Sequence, residues 1–301
     1  MTNPSWLRQL AVGSLDRIGT SIHRSIIDPC RALPAFTPNS SGDHATRSQL
    51  TLQAANTTFP CLSRVCVQQL NRKVLTLTSP QFAADLGVQT DDQDLLQLKK
   101  LFIHYGSDKA TAHDYHYVYA AILKDLNPCH SILEIGLGTN NPTVVSNMHG
   151  GGSPGGSLRA FRDYLPNISV FGADIDAAVL FQDNRIQTFQ VDQLSPQSLE
   201  RLGSNIPNQL DLIIDDGLHA PDANINTLGF ALSHVRAGGW VVIEDIAPAA
   251  MEIWNVVGAV LQPSHQCWLI NAKGGLMFVV RSEEHTSELQ SHSDLVCRLL
   301  L

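Results

Sequence analysis

Two adjacent carboxylates, Asp215 and Asp216, are followed by Gly217 and His219 at the end of the stretch LDLIIDDGLH. Neighbouring acids repel each other, and no Lys or Arg lies close by in sequence to offset them. A bound cation or a ligand amine would remove that cost. A second pair, Glu244 and Asp245, follows the apolar run Trp240 to Ile243 in GGWVVIEDI. Asp216, Glu244 and Asp245 together offer three oxygen donors, a set that suits Mg²⁺ or a similar hard cation with positions left for water or substrate. The plainer reading makes Asp215 a helix cap, Asp216 a solvated acid and His219 one of twelve histidines.

A third chemical feature is SILEIGLG. An apolar strand, Ile132 to Ile135, passes into Gly136-Leu137-Gly138, where the chain can turn tightly and approach a ligand. Glu134 sits inside that strand, a costly place for an unpaired charge unless it holds or orders a ligand. A dinucleotide fingerprint would need Gly or Ala at position 141, where Asn141 stands, so nicotinamide and flavin dinucleotides are disfavoured. The next apolar run, in ISVFGADID, ends in Asp174, placed to accept hydrogen bonds from ribose hydroxyls, while Asp176 could cap the following helix. A third, Ile186 to Val191, ends in Asp192-Gln193, which could meet an adenine edge.

These residues can meet only if their strands share one sheet. Each is a short apolar run bounded by turn residues, the pattern of a strand buried on both faces. Such strands carry ligands beyond their carboxyl ends, and consecutive strands are commonly neighbours. Helical patterns fall between them, at Ser195 to Leu202 and from about Asp222 to Val235, and Ser157 is placed as the N-cap of the helix in GGSLRAFRDYLP. The glycine-rich stretch Thr139 to Pro154 is too long for a simple turn and reads as a functional or mobile loop. CWLINAK and GLMFVV, joined at Gly274-Gly275, read as a closing hairpin. The expected fold is α/β: a Rossmann-like, mostly parallel sheet with helices on both faces and a C-terminal antiparallel hairpin, plus an N-terminal, mainly helical appendage.

Residues 1–104 form the expected auxiliary region, with a linker near 37–49 and the core domain at 105–280. Leu7, Ala11, Leu15, Ile18, Ile22 and Ile26 mark an amphipathic helix that packs on the main domain or another subunit, or lies on a membrane surface. Val74 to Thr78 reads as a strand and Asp91 to Tyr105 as a helix. His113, Tyr115, His116, Tyr117 and Tyr119 concentrate polar aromatics at a helix start, as a pocket wall or an interface. From Arg281, RSEEHTSELQSHSDLVCRLLL resembles the translation of a sequencing adaptor and is set aside as an artefact.

The 301 residues carry a formal net charge of −8, 44% hydrophobic and 16% charged residues, an ordinary globular composition that disfavours a nucleic-acid partner. Six scattered cysteines without a CxxC pair suit a reduced cytoplasmic protein. No apolar run approaches the ~18 residues of a membrane span.

The order of Gly106-Ser107-Asp108-Lys109, Leu133 to Gly138, Gly156-Ser157-Leu158, Gly172 to Ile175, Ile214 to His219 and Val242 to Asp245 resembles class I S-adenosylmethionine-dependent methyltransferases. Over residues 105 to 246 the chain is most similar to the metal-dependent sugar O-methyltransferases of macrolide biosynthesis. The resemblance implies that Glu134, Gly136 and Gly138 line S-adenosyl-L-methionine, with Asp174 at the ribose and Asp192 near the adenine. It implies Mg²⁺ on Asp216, Glu244 and Asp245, and His219 as general base. Asp215, beside the metal ligand, could contact the methionyl amine. The expected acceptor is a hydroxyl of a small molecule or glycoconjugate, and a homo-oligomer is possible. A cephalosporin hydroxylase-like metal enzyme and a non-catalytic nucleoside-binding scaffold are the competing readings.

Overall fold

A computed structural model describes residues 27–39, 42–148 and 151–283. The stripe from Leu7 to Ile26 and the tail beyond residue 283 lie outside the described residues. The chain forms two compact units, one ending at Arg64 and one beginning at Val65.

The first unit holds a short helix α1 (Pro29–Ala32) and most of a long helix α2 (His44–Leu70), which runs across the boundary. Residues 44–49, expected as linker, are therefore the first turn and a half of α2. Asp43 explains the difference: its carboxylate accepts from the Thr46 N–H at 2.9 Å and from the Thr46 hydroxyl at 3.0 Å. The polar residues that make a segment read as linker are also those that cap helices.

The second unit is built on one sheet, nine-stranded among the described residues. Its strands are β1 (Leu75–Thr78), β2 (Ser131–Ile135), β3 (Ser169–Asp174), β4 (Gln182–Asp183), β5 (Ile186–Gln190), β6 (Leu210–Asp215), β7 (Val235–Ile246), β8 (His265–Ala272) and β9 (Gly275–Ser282). They lie in the order β1-β8-β9-β7-β6-β2-β3-β5-β4. The pairs among β2, β3, β5, β6 and β7 are parallel, as is β1 with β8; β9 runs antiparallel to both β7 and β8, and β4 to β5. The expected α/β class and closing hairpin are thus present. Strand β9 reaches past Val280: Arg281 pairs with Trp240 and Ser282 with His265, so the first two residues of the segment set aside as an artefact end a strand that lies between β8 and β7.

Helices cover both faces. On one lie α3 (Ser79–Asp85), α4 (Gln93–His104), α5 (His116–Asp125) and α6 (Gly156–Tyr164); on the other, α7 (Pro196–Gly203), α8 (Pro221–His234) and α9 (Met251–Leu261). Strand side chains alternate between the two cores, as the period of two requires. Ile132, Leu212, Ile214 and Val242 join Phe102, Tyr119 and Phe161 under α4, α5 and α6. Leu133, Ile135, Ile213, Val241 and Ile243 join Leu202, Leu228 and Trp254 on the opposite face. This parity decides where Glu134, Asp215 and Glu244 point.

Candidate functional site

Strand β2 lies between β3 and β6, and β6 lies between β2 and β7. The tips that carry the sequence-predicted acids are therefore side by side. Gly136 turns out of β2 at φ +102°, and a Cβ there would stand 2.0 Å from the Asp216 carbonyl oxygen. Only glycine leaves room for that approach. The contact is fixed by the Asp216 N–H donating to the Ile135 carbonyl at 2.7 Å and the Gly136 N–H to that of Ala173 at 2.7 Å.

Two cavities share this edge. The smaller, of about 350 Å³, is lined by Gly136, Gly138, Asp174, Asp192, Asp216 and the loop residues Thr143 to Ser146. The larger, of about 600 Å³, is lined by Gly106 to Lys109, the Gly136–Gly138 turn, Ser157, Asp216, His219 and Asp245. Gly136, Gly138 and Asp216 belong to both walls.

Asp174 is buried and already bonded: its oxygens accept from the Leu137 N–H at 2.7 Å and the Asp176 N–H at 2.9 Å. Burial raises its pKa, with those two backbone bonds opposing the rise. Asp176 caps the short helix after β3, accepting from Ala178 N–H at 3.0 Å. Asp192 is exposed and accepts from the Leu194 N–H at 2.9 Å through Oδ1.

Asp216, His219 and Asp245 form the cluster at the mouth. One potential ligand atom from each lies within 4.8 Å of the others, and His219 Nε2 stands 3.9 Å from Asp245 Oδ2. All three are half-buried. His219 adopts φ +58° and Asp245 φ +52°. At Asp245 the cause is a register shift in the β7–β9 pairing between Ile243 and Ile246. A bulge of this kind re-aims a side chain. Asp245 accordingly accepts from the Tyr115 hydroxyl on the same face as Glu244. The Nδ1 of His219 is buried without a hydrogen-bond partner.

Three of the expected site residues lie away from both cavities. Glu244 was expected beside Asp216 and Asp245 as a cation donor; it does stand beside Asp216, in side-chain hydrogen-bond contact with it, but it is 1% exposed and lines neither cavity. Its parity with Val242 points it beneath α5, where Tyr119 donates to one oxygen and Lys109 lies 2.5 Å from the other. Burial, then Asp216, hold its pKa well above the carboxylate range. Asp215 was expected at the cofactor's amine, but it shares a face with Ile213 and is fully buried against α8. Gln193 Nε2 at 2.7 Å, Asn224 Nδ2 at 3.0 Å and the Gly217 N–H at 3.2 Å donate to it. Glu134 was expected to line the cofactor pocket, but it lies beneath the glycine turn, accepting from the Ser157 hydroxyl at 2.5 Å and facing Lys109 Nζ at 3.1 Å. Ser157 is thus inside α6 rather than its cap, a position taken by Gly155 at φ +69°.

The residue that sequence reasoning left without a role is Lys109. Its ammonium is 1% exposed and touches Glu134, Asp216 at 2.7 Å and Glu244. Burial acts to lower its pKa, and Asp216, Glu244 and Glu134 outweigh this and raise it well above the usual lysine value. Burial likewise acts to raise that of Asp216, and Lys109 and His219 turn the balance downward. The acid pair does have a base, but it comes from 107 positions earlier in the chain.

The chain resembles known proteins over its core. It is 29% identical over 157 residues to an 8-demethyl-8-alpha-L-rhamnosyl tetracenomycin-C 2'-O-methyltransferase of Streptomyces olivaceus, a match covering 52% of this chain and 39% of the relative. It is 39% identical over 93 residues to the mycinamicin VI 2''-O-methyltransferase of Micromonospora griseorubida, covering 31% and 23%. The match thus spans less than half the length of either relative. No family model matches the chain. Among solved structures, the MycE methyltransferase of the mycinamycin biosynthetic pathway, in complex with Mg and SAH, superposes with a TM-score of 0.51 at 23% identity, over 65% of this chain and 57% of that one. The fold is that of the class I methyltransferases. In this methyltransferase fold the Gly136–Gly138 turn, Asp174 and Asp192 line one cavity, and Asp216, His219 and Asp245 the adjoining one. No helix among the described residues is long and apolar enough to cross a membrane.

Proposed function

We propose that this protein transfers the methyl group of S-adenosylmethionine to a hydroxyl of a sugar carried by a secondary metabolite or other glycoconjugate, with the help of Mg²⁺. The observation that carries the reading is the convergence of Asp216, His219 and Asp245 on one cavity whose wall, at Gly136, Gly138 and Asp216, is shared with a second cavity lined by Asp174 and Asp192. The sequence similarity to sugar O-methyltransferases supports the substrate class.

The donor set fits a hard divalent cation. Two half-buried carboxylates, Asp216 and Asp245, open on the larger cavity, while three carboxylates, Glu134, Asp216 and Glu244, share one ammonium. Asp216 and Asp245 would hold the ion, which when bound supplies the charge that aligns neighbouring sugar oxygens and favours loss of a proton. His219 takes that proton at Nε2, the ring nitrogen that stands 3.9 Å from Asp245 Oδ2. Asp174 holds the ribose through lone pairs left over from its two backbone bonds, and Asp192 meets the adenine edge. Gly136 and Gly138 let the backbone approach the cofactor's methionyl portion. The acceptor is a small glycoside rather than a nucleic acid, in keeping with the net charge of −8. The enzyme works in the cytoplasm, where Cys30, Cys61, Cys66, Cys129 and Cys267 remain as the free thiols seen here.

The test is transfer of label from methyl-labelled S-adenosylmethionine to a panel of deoxysugar glycosides, with and without a chelator. Transfer should stop with the chelator, return with Mg²⁺, and be lost in Asp216→Ala and His219→Ala while both still bind the cofactor. Undiminished transfer under chelation, or in both variants, would overturn the assignment.

A further inference from the structure

Lys109 takes no part in the proton transfer proposed above, yet its charge is fully enclosed at the heart of the site. It enters from a loop fixed by Gly106 at φ +70° and by the Ser107 hydroxyl accepting from the Lys109 N–H at 3.4 Å. Its ammonium meets one carboxylate from each of three adjacent strands: Glu134 within β2, Asp216 just after β6, and Glu244 on β7. Of these only Asp216 also reaches the open cluster with His219 and Asp245.

We propose that Lys109 is a built-in counter-cation that competes with the divalent ion for Asp216 and so limits how tightly the site holds that ion. The proposal rests on the reading that Asp216 and Asp245 hold a divalent cation. Without the ion, three carboxyl groups face one another around the ammonium, which offsets one negative charge among them and gives each a partner; removing one partner of such a cluster leaves a costly unpaired charge. With the ion bound, the ammonium 2.7 Å from Asp216 Oδ2 is a like charge at close range, which weakens binding. The lysine stem, with its rotatable bonds, lets the ammonium lean toward Glu134 and Glu244 as Asp216 turns to the ion. A lysine serving only to brace the site makes the opposite prediction, because losing the brace would loosen Asp216 and weaken the ion.

The experiment is titration of the full chain with Mn²⁺, read by its paramagnetic resonance signal, and with Mg²⁺ by calorimetry, without cofactor or acceptor. Lys109→Met should bind either ion at least about tenfold more tightly than the unaltered protein, and its melting temperature should become strongly ion-dependent. Because Lys109→Met strips the counter-charge from buried acids, the comparison is repeated in a background with less charge, Lys109→Met/Glu244→Gln against Glu244→Gln alone. Equal or weaker ion binding after loss of Lys109 in both backgrounds overturns the proposal. Ion binding by the unaltered chain that ignores Asp216→Ala and Asp245→Ala instead overturns the cation-site reading itself, so the two failures are distinguishable.

Discussion

Asp215 and Asp216 are neighbours in sequence, yet the structure predicts opposite consequences for their removal. Asp215→Ala deletes the acceptor of three buried or half-buried donors, Gln193 Nε2, Asn224 Nδ2 and the Gly217 N–H. A buried donor left without a partner costs about 1–3 kcal/mol. Part of that is offset, because a carboxylate whose pKa is raised by burial no longer has to be desolvated. The expected net loss is about 3–4 kcal/mol, or roughly 10 °C in melting temperature for a unit of this size. Urea unfolding followed by the fluorescence of the buried Trp240 and Trp254 reads the stability. Ion titration well below the melting point reads the site. Asp216→Ala should do the reverse, losing the ion with a smaller stability change, since Lys109 keeps Glu134 and Glu244 as partners. Asp215→Ala within about 1 kcal/mol of the unaltered protein, or stable but unable to bind the ion, would refute the assignment of the two faces.

Gly136→Ala should be poorly folded, losing more than about 3 kcal/mol in the same unfolding assay, because it combines a positive φ with a Cβ 2.0 Å from a backbone oxygen that cannot step aside. Tyr119→Phe removes the hydroxyl that donates to the enclosed Glu244 and should cost about 1–3 kcal/mol by thermal or urea unfolding. His116 is buried, and burial, with Lys99 adding to it, pulls its pKa from 6.5 down to about 4. The unfolded chain therefore takes up a proton that the folded chain refuses, and stability should fall as pH drops from about 6.5 toward 4, by up to about 3 kcal/mol. His116→Phe should flatten that part of the stability-pH curve, and an unchanged slope would remove His116 as its source.

The strands and the acids at their tips were legible because a buried parallel strand announces itself as an apolar run, and the residue after it must emerge at the sheet edge. The convergence of β6 and β7 was legible for the same reason: consecutive strands in such sheets are usually neighbours, and these two are. What the sequence concealed was the face. Alternation along β6 sends Asp215 to the α8 side and Asp216 to the α5 side, a distinction that depends on which residues pack against each helix. Lys109 was hidden by distance, since a counter-charge 107 positions away leaves no local pattern. A signal did exist: Glu134 in a fully buried strand demands a cation, and Lys109 stands before a run of polar aromatics that later proves to cover that strand. Ser157 was read as a cap because serine commonly caps helices, whereas the glycine two places earlier takes that position and frees the hydroxyl for Glu134.

The two halves of the site are joined through backbone as well as through Lys109. The glycine turn and Asp216, which line both cavities, are in direct contact: the Asp216 N–H donates to Ile135, and the Asp216 carbonyl fills the space a side chain at position 136 would need. A displacement of the glycine turn on binding a cofactor is therefore transmitted directly to Asp216, with no intervening side chain to absorb it. Asp245 has no such tie to the turn among the described residues; it is held by Tyr115, the N-cap of α5, and aimed by the irregular pairing of β7 with β9. The Asp216–His219–Asp245 cluster thus has one arm anchored to the glycine turn and one to the helical layer. Cofactor binding should consequently shift the affinity for the ion through Asp216, and that shift, read by ion titration with and without S-adenosylmethionine, should survive Tyr115→Phe.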